Sequence, residues 1–258
     1  MNSWNFLSIL IALMIFLPIF LIIYNFNIES DNWVHIRENL LGKYIFSTLC
    51  IVLGVSVLST IIGVGSAWYV TCHEFRGRKT LEWILILPMT IPTYIAAYAY
   101  YDILELLNPF FNWFRINIGI KETMMVESFL IYLIVIILFS FVLYPYVYLS
   151  VRASLLISGN RLIESAITLG LPSNKIFKKL ILPSTKPAII AGLSLVIMET
   201  LNDYAAVEYF GISTLTIGIF RSWFGMYDMA SALKLSSYLI LFVFSILITE
   251  KIYRGKER

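Results

Sequence analysis

The chain has 258 residues, of which 59% are hydrophobic and only 14% are charged, and its mean hydropathy is +0.83. A soluble domain carries about 25% charged residues, so much of this chain is predicted to face lipid rather than water. The net charge of +3 is too small to indicate nucleic acid binding, and the phosphate-loop, zinc-protease and paired-cysteine motifs do not occur in the sequence. The two cysteines, Cys50 and Cys72, are predicted to be unpaired.

Six apolar stretches are long enough to cross a membrane, for which a helix needs about 20 residues. They are Phe6–Tyr24, Tyr44–Val70, Leu81–Tyr101, Phe129–Val151, Ala188–Tyr209 and Ser236–Tyr253. The first is expected to be a retained helix rather than a signal peptide, because no basic residue precedes it and no small-residue cleavage site follows it. The sequence therefore predicts an all-α integral membrane protein of about six transmembrane helices, forming a single domain over residues 1–258.

The charges between these stretches predict the orientation of the chain. Lys and Arg outnumber Asp and Glu in one set of alternate loops, which comprises residues 71–82, 152–187 and 250–258. Acidic residues outnumber basic ones in the opposite set, which comprises residues 25–43, 102–128 and 199–235. Because cytoplasmic loops are enriched in Lys and Arg, the first set and both termini are predicted to be cytoplasmic, which agrees with an even number of crossings.

The longest basic loop is also the most patterned segment of the chain. A first short helix is predicted around residues 161–169, and it is expected to end at Gly170 because glycine readily adopts the left-handed helix stop. Pro172 and Ser173 are expected to open a second short helix. Pro183 is expected to end that helix, because the residue before a proline disfavours the helical conformation.

The second short helix is predicted to have two distinct faces. Residues at i, i+3, i+4 spacing share a face, so the apolar face carries Phe177, Leu180 and Ile181, and the basic face carries Lys175, Lys178 and Lys179. Ser184 or Thr185 is expected to cap the next membrane helix, with Pro187 near its first position. This arrangement fits docking to a cytosolic partner, and it fits binding to anionic membrane lipid equally well.

The same loop carries the pattern Glu164-x-Ala166-x-x-x-Gly170, followed after nine residues by Leu180-x-Leu182-Pro183. This pattern resembles the EAA loop of ATP-binding cassette importer permeases, and it departs from that loop only at Ser165 and Leu180. The resemblance implies a type I, MetI-like permease fold and a cytoplasmic coupling loop at about residues 161–183 that docks onto a separate ATPase subunit. The coupling residues that it implies are Glu164, Ala166, Gly170, Lys175, Phe177, Leu180, Leu182 and Pro183.

Further segments resemble the N-terminal half of ferric-iron permeases. They are Leu87-Pro88-Met-Thr-Ile-Pro92-Thr-Tyr94-Ile-Ala-Ala-Tyr98-Ala-Tyr100, Met198-Glu199-Thr-Leu-Asn-Asp203-Tyr204, Tyr209-Phe210-Gly211 and Gly218-Ile-Phe-Arg221-Ser-Trp223-Phe-Gly225-Met226. Those permeases usually fuse two six-helix halves, so the resemblance implies that another copy or a separate chain supplies the second half. It also implies a periplasmic or extracellular substrate-binding protein, ATP bound only by the partner subunit, no catalytic residue and no cofactor in this chain, and a location in the bacterial inner membrane.

The third apolar stretch is a candidate substrate pathway. Pro88 and Pro92 free backbone carbonyls on nearly one face, and broken helices often mark transport sites. Beyond them oxygen-bearing side chains recur along one stripe of the helix, namely Tyr94, Tyr98, Tyr101 and Glu105. The alternative interpretation of this stripe is an aromatic belt where the helix meets lipid headgroups.

The fifth apolar stretch contains two carboxylates, Glu199 and Asp203, at i, i+4 spacing on one predicted helix face. Glu208 falls on the opposite face and is not expected to join them. Acidic residues inside a membrane are costly and therefore suggest function, and carboxylate oxygens suit a hard cation. The alternative is that both are hydrated at the outer interface, and the sequence does not identify a metal site.

Several alternatives to an iron importer are consistent with the sequence. An importer of the same class would carry a polyamine, thiamine or an inorganic anion instead of ferric iron. A secondary transporter driven by an ion gradient would need no ATPase, and its basic loop would bind lipid. A third reading is a split or degraded half with no transport of its own.

Overall fold

The computed structural model of the protein describes residues 3–28, 30–159, 166, 168 and 170–255. All of the regular structure in these ranges is helical, as predicted, and none of it is strand. The main helices are α1 (Ser3–Tyr24), α2 (Asp31–Cys72), α3 (Arg78–Ile84), α4 (Thr93–Leu106), α5 (Asn108–Asn117), α6 (Ile120–Ser154), α7 (Lys186–Asn202), α8 (Ala205–Tyr209), α9 (Leu215–Phe220) and α10 (Met229–Gly255). Cys50 and Cys72, both on α2, are free, as predicted.

Four helices are long and apolar enough to cross a membrane by themselves, and they are α1, α2, α6 and α10. Two further candidates are bent pairs: Arg78–Thr90 with Thr93–Leu106, at 90°, and Phe177–Ser184 with Lys186–Asn202, at 60°. Counting each bent pair as one crossing gives six within the described part of the chain. This agrees with the predicted number of about six.

The third predicted crossing is broken where its prolines lie. Pro88 belongs to a short 3-10 turn, Leu87–Thr90, and Pro92 is the residue that precedes α4. Ile91 between them is extended, with φ −89° and ψ 119°, as expected for a residue followed by proline. The backbone therefore turns through 90° between α3 and α4 instead of continuing straight.

The fifth predicted crossing, Ala188–Tyr209, is not one continuous helix. Helix α7 ends at Asn202, and Asp203 is extended with φ −71° and ψ 114°. The carboxylate of Asp203 then accepts the backbone N–H of Ala206 at 2.9 Å. Asp competes with helix continuation in this way because its short side chain can bond to nearby backbone N–H groups, so a separate short helix, α8, follows.

The chain divides into two compact units. The first comprises Met1–Thr48 and Ser213–Ser245, and the second comprises Leu49–Ile212 and Ile246–Arg258. The core of the first unit contains the buried side chains of Ile36, Tyr44, Leu215 and Leu235. The prediction of a single domain over residues 1–258 stays a prediction.

In the first unit, Asp228 caps the start of α10. Its carboxylate accepts the backbone N–H of Ser231 at 3.1 Å and the hydroxyl of Ser30 from the N-terminal segment. Burial raises the pKa of this carboxyl, but the hydrogen bonds from Ser231 and Ser30 outweigh burial and hold the pKa below its ordinary value. The stabilisation from this cap is therefore present above the ordinary carboxyl pKa and is lost on acidification.

In the second unit, two glycines approach the same turn of α6 from different helices. A Cβ atom on Gly63 of α2 would lie 2.7 Å from Val147 Cβ and 3.0 Å from the carbonyl oxygen of Tyr144. A Cβ atom on Gly192 of α7 would lie 2.7 Å from Val147 Cα. Helices in membranes associate through close backbone packing at small residues, so α2 and α7 both pack closely against this turn of α6.

We predict that Gly63→Ala destabilises the protein, whereas Gly65→Ala on the same helix does not. A Cβ atom on Gly65 meets nothing within 4 Å, so Gly65→Ala gains helix propensity, worth up to about 1 kcal/mol. Gly63→Ala gains the same propensity but overpacks against backbone, which costs about 1–3 kcal/mol. Thermal unfolding in one detergent measures both variants. Equal shifts of the unfolding midpoint would contradict the packing described here.

Candidate functional site

A hydrogen bond joins the break in the third predicted crossing to the end of α7. Thr93, the first residue of α4, donates its hydroxyl to the carboxylate of Asp203, just past the end of α7. The same carboxylate holds the N–H of Ala206 at the start of α8. One side chain therefore fixes three helix ends. Thr93 lies between the predicted pathway residues Pro92 and Tyr94 but was not itself predicted. Its signal in the sequence is a hydroxyl directly after a proline at a helix start.

Glu199 has a partner different from that of Asp203. The hydroxyl of Tyr146 on α6 donates to Glu199 Oε1 at 3.4 Å. Glu199 is exposed and lies within α7, whereas Asp203 is half-buried and lies beyond the helix end. Asp203 is the residue that ends α7, and its backbone N–H still donates to the carbonyl of Glu199 at 3.1 Å, one helical turn earlier. That the two carboxylates share one face stays a prediction. Their role in a substrate pathway stays a prediction, and Glu208 lies apart on α8.

The predicted pathway side chains of the third crossing lie around its break. Pro88 is half-buried and Pro92 is exposed. Tyr94 and Tyr98 are exposed as well, and the ring of Tyr98 lies 5.9 Å from the ring of Tyr209 on α8. Exposed tyrosines fit both a pathway and an aromatic belt, so this choice stays open. No group of three His, Cys, Asp or Glu side chains that could hold a metal ion occurs among the described residues.

The basic loop turns at Gly170, as predicted. Gly170 has φ +74°, and the N–H of Leu171 donates to the carbonyl of Ala166 at 3.1 Å. This is the bond that closes a glycine-terminated helix end. Ala166 is buried, with 2% of its surface exposed. Glu164 and most of the first short helix predicted at residues 161–169 lie outside the described residues.

Pro183 does not end the second short helix, contrary to prediction. The helical turns continue from Ser173–Ile176 through a π turn, Phe177–Ile181, into Leu182–Ser184. The carbonyl of Ile181 accepts the backbone N–H of Thr185 at 2.9 Å and its hydroxyl at 2.8 Å. Backbone hydrogen bonding is thus maintained past the proline. Thr185 is the residue before α7, as predicted, but its hydroxyl bonds backwards instead of capping α7.

The second short helix has an anchored apolar side and an exposed basic side. The ring of Phe177 lies 4.6 Å from the ring of Trp68, near the end of α2. Ile181 is buried, and so is Ile176, which the sequence analysis missed. The lysines at 175, 178 and 179 are all exposed, Leu180 is half-buried, and Leu182 and Pro183 are exposed. The apolar face therefore packs against this chain, and the basic face is available to a partner.

An ion pair near the same end of the second unit connects α3 with α6. Arg152 Nη2 lies 2.8 Å from Glu82 Oε2, and Arg78 Nε lies 3.4 Å from Glu82 Oε1. All three side chains are partly exposed, so the pairs contribute little to stability by themselves. Their effect is to position the start of the third crossing against α6.

Residues 59–254 match the family model of the binding-protein-dependent transport system inner membrane component. The chain belongs to this family of ATP-binding cassette importer permeases. The predicted family is thereby confirmed, and its members are inner membrane permeases rather than enzymes.

The curated relatives are named for different transported substrates. The chain is 29% identical over 162 residues to a sulfate transport system permease protein of Salmonella typhimurium, covering 63% of this chain and 56% of the relative. It is 25% identical over 217 residues to an Fe(3+)-transport system permease protein of Haemophilus influenzae, covering 84% of this chain and 38% of the relative. The chain thus spans about half the length of the first of these relatives and less of the second.

Two solved structures share the fold. The methionine transporter MetNI, in inward-facing conformations, matches with a TM-score of 0.62 and 16% identity, covering 88% of this chain and 99% of that chain. A bacterial alginate transporter, in complex with an alginate-bound periplasmic protein, matches with a TM-score of 0.71 and 17% identity, covering 96% and 93%. The predicted all-α, MetI-like permease fold is confirmed.

Proposed function

We propose that the chain is one half of the membrane gate of an ATP-driven importer in a bacterial inner membrane. Membership of the permease family over residues 59–254 supports this proposal. The excess of Lys and Arg in one set of loops supports cytoplasmic termini. Separate ATPase subunits bind and hydrolyse ATP, so this chain needs no cofactor and no catalytic residue of its own.

Two further partners complete the proposed importer. A second permease half, either another copy or a separate chain, lines the other side of the gate. An external substrate-binding protein delivers cargo to the outer side. The fold shared with a transporter solved together with a periplasmic protein supports this kind of partner.

The basic loop is the proposed docking site for the ATPase. Its exposed lysines at 175, 178 and 179 attract acidic groups on a partner, and its exposed Leu182 and Pro183 add apolar contact area. The turn at Gly170 sets the direction in which the chain enters this segment. Binding to lipid alone would use the lysines but would not require the turn.

Motion of the docked loop would reach the membrane by two routes. The contact between Phe177 and Trp68 would transmit the motion of the loop to α2. The continuous helical turns through Thr185 would transmit the same motion to α7. Both helices press on the same turn of α6 through Gly63 and Gly192. Closure of the ATPase subunits would then move these helices together and turn the gate from inward-facing to outward-facing.

We predict that Gly170→Pro abolishes association with the ATPase subunit, whereas Gly170→Asn preserves it. Proline is locked near φ −65° and cannot adopt the +74° found here, whereas Asn tolerates the left-handed region. Space does not limit either variant, because a Cβ atom on Gly170 meets nothing within 4 Å. Co-purification of the ATPase with each variant measures the effect.

If Gly170→Pro keeps the ATPase bound at the level of Gly170→Asn, the turn has no docking role. Absence of the ATPase from every preparation, that of the unaltered chain included, would support the transporter driven by an ion gradient. Unfolding curves of both variants serve as the control, since loss of association counts only for a variant that is folded.

We further propose that the cargo is a cation, with ferric iron as the first candidate. The match of 84% of this chain to an iron permease supports iron, and the carboxylates of Glu199 and Asp203 suit a hard cation. The match to sulfate permeases supports sulfate as the alternative. Two carboxylates near the breaks in the crossings would repel a sulfate dianion, which favours the cation.

We predict that Glu199→Gln and Asp203→Asn each lower ferric iron uptake by about tenfold, the effect of losing about 1.4 kcal/mol of charge stabilisation. Both amides keep an oxygen that can accept the hydrogen bonds from Tyr146, Thr93 and Ala206, so assembly should persist. Uptake of labelled ferric iron by cells that carry the complete importer is the measurement. Glu208→Gln, which removes an exposed carboxylate from α8, is the matched control.

Unchanged iron uptake in both variants would show that neither carboxylate contributes to the substrate pathway. Labelled sulfate is the second probe in the same cells. Sulfate uptake without iron uptake by the unaltered protein would overturn the cation proposal, and absence of any uptake would support the split or degraded half.

A further inference from the structure

A cavity of about 320 Å³ opens in the second unit between α4, α5, α6 and the segment that follows α8. The side chains that give it chemical character are Tyr101, Glu105, Phe111, Glu127, Tyr209 and Phe210. Tyr101 and Glu105 belong to the stripe of oxygen-bearing side chains predicted on the third crossing, whereas Pro88, Pro92, Glu199 and Asp203 do not line the cavity. The acidic loop 102–128 contributes part of its wall, on the side predicted to face out of the cell.

Aromatic rings form one wall of this cavity. The ring centroids of Tyr101 and Tyr209 lie 4.9 Å apart with nearly perpendicular planes, and those of Tyr101 and Phe210 lie 5.9 Å apart. Phe111 on α5 is buried, with 4% of its surface exposed. The rings of Tyr101, Tyr209 and Phe210 pack against one another and form an apolar surface, and the faces of such rings attract cations.

Two carboxylates approach the cavity from different helices. Glu105 lies near the end of α4 and Glu127 lies in the first part of α6. Neither pairs with a Lys or Arg side chain in the described ranges. The cavity therefore carries two carboxylates that form no ion pair with the Lys and Arg side chains of the described residues.

We propose that this cavity binds an organic ammonium cation. The hydrocarbon part of such a ligand would lie on the rings of Tyr101 and Tyr209, and its ammonium groups would donate hydrogen bonds to Glu105 and Glu127. The amide of Asn108, which also lines the cavity, supplies a neutral acceptor.

The lining favours this class over inorganic ions. A hard metal cation takes about six oxygen ligands, and no group of three His, Cys, Asp or Glu side chains that could hold a metal ion occurs among the described residues. An inorganic anion would be repelled by both carboxylates. Separated charges beside an apolar wall match a ligand in which cationic nitrogens are joined by methylene groups.

The proposal goes beyond the importer function and does not depend on the identity of the cargo. It concerns binding to this chain by itself, so no ATPase, second half or binding protein is needed to measure it. Failure of the binding test would leave the importer proposal untouched, and failure of transport would leave this site untouched.

The test is calorimetric titration of spermidine into the purified full chain in lipid nanodiscs. We expect saturable binding that weakens about tenfold in Glu105→Gln and in Glu127→Gln, because each variant loses a charge-assisted hydrogen bond. Tyr101→Leu keeps the net charge but loses a ring face, and we expect about fivefold weaker binding. Glu208→Gln removes a neighbouring exposed carboxylate outside the cavity, and we expect unchanged binding.

Three results would overturn the proposal. The first is no spermidine binding by the unaltered chain. The second is an equal loss in Glu208→Gln, which would mean general attraction to an acidic surface. The third is Mg²⁺ binding with the same dependence on Glu105 and Glu127 but no dependence on Tyr101, which would mean a metal site. Unfolding curves of the variants exclude loss of the fold as the cause.

Discussion

The close approach of three helix backbones around Val147 is the constraint on which the second unit depends. In lipid the hydrophobic effect does not bring helices together, so close van der Waals packing must stabilise their association. Gly63 of α2 and Gly192 of α7 remove the side chains that would keep those helices away from α6. Since both press on one turn, α2 and α7 cannot shift independently. In the proposed importer, a movement of the basic loop would therefore be shared by two crossings.

Polar contacts occur at the breaks in the crossings, where backbone groups have no partner within a helix. A break in a membrane helix exposes backbone groups that need partners, and here one carboxylate supplies them. Asp203 binds the hydroxyl of Thr93 and the N–H of Ala206, which joins the starts of α4 and α8 to the end of α7. At the other end of the unit, Phe177 and Trp68 connect the basic loop to α2. Loop and breaks are thus connected through the same three packed helices.

The sequence was sufficient for the number of crossings, the family and the left-handed turn at Gly170, because hydropathy and glycine conformation are local properties. It was not sufficient for the ends of the broken helices. The carboxylate of Asp203, which holds the N–H of Ala206, also accepts the hydroxyl of Thr93, and that partner is 110 residues away in the sequence. Whether Pro183 stops a helix depends on how Thr185 satisfies the carbonyl of Ile181. The sequence also did not predict the cavity beside Tyr101, because its two carboxylates come from different helices.

The central claim is that ATP hydrolysis by a separate subunit, acting through the basic loop, drives transport. The most direct test is ferric iron uptake into proteoliposomes that contain this chain, its second half, the ATPase and the binding protein. The account predicts uptake that requires ATP on the side of the ATPase and persists when ionophores remove all ion gradients. Uptake without ATP, driven by an imposed ion gradient and abolished by ionophores, would contradict it.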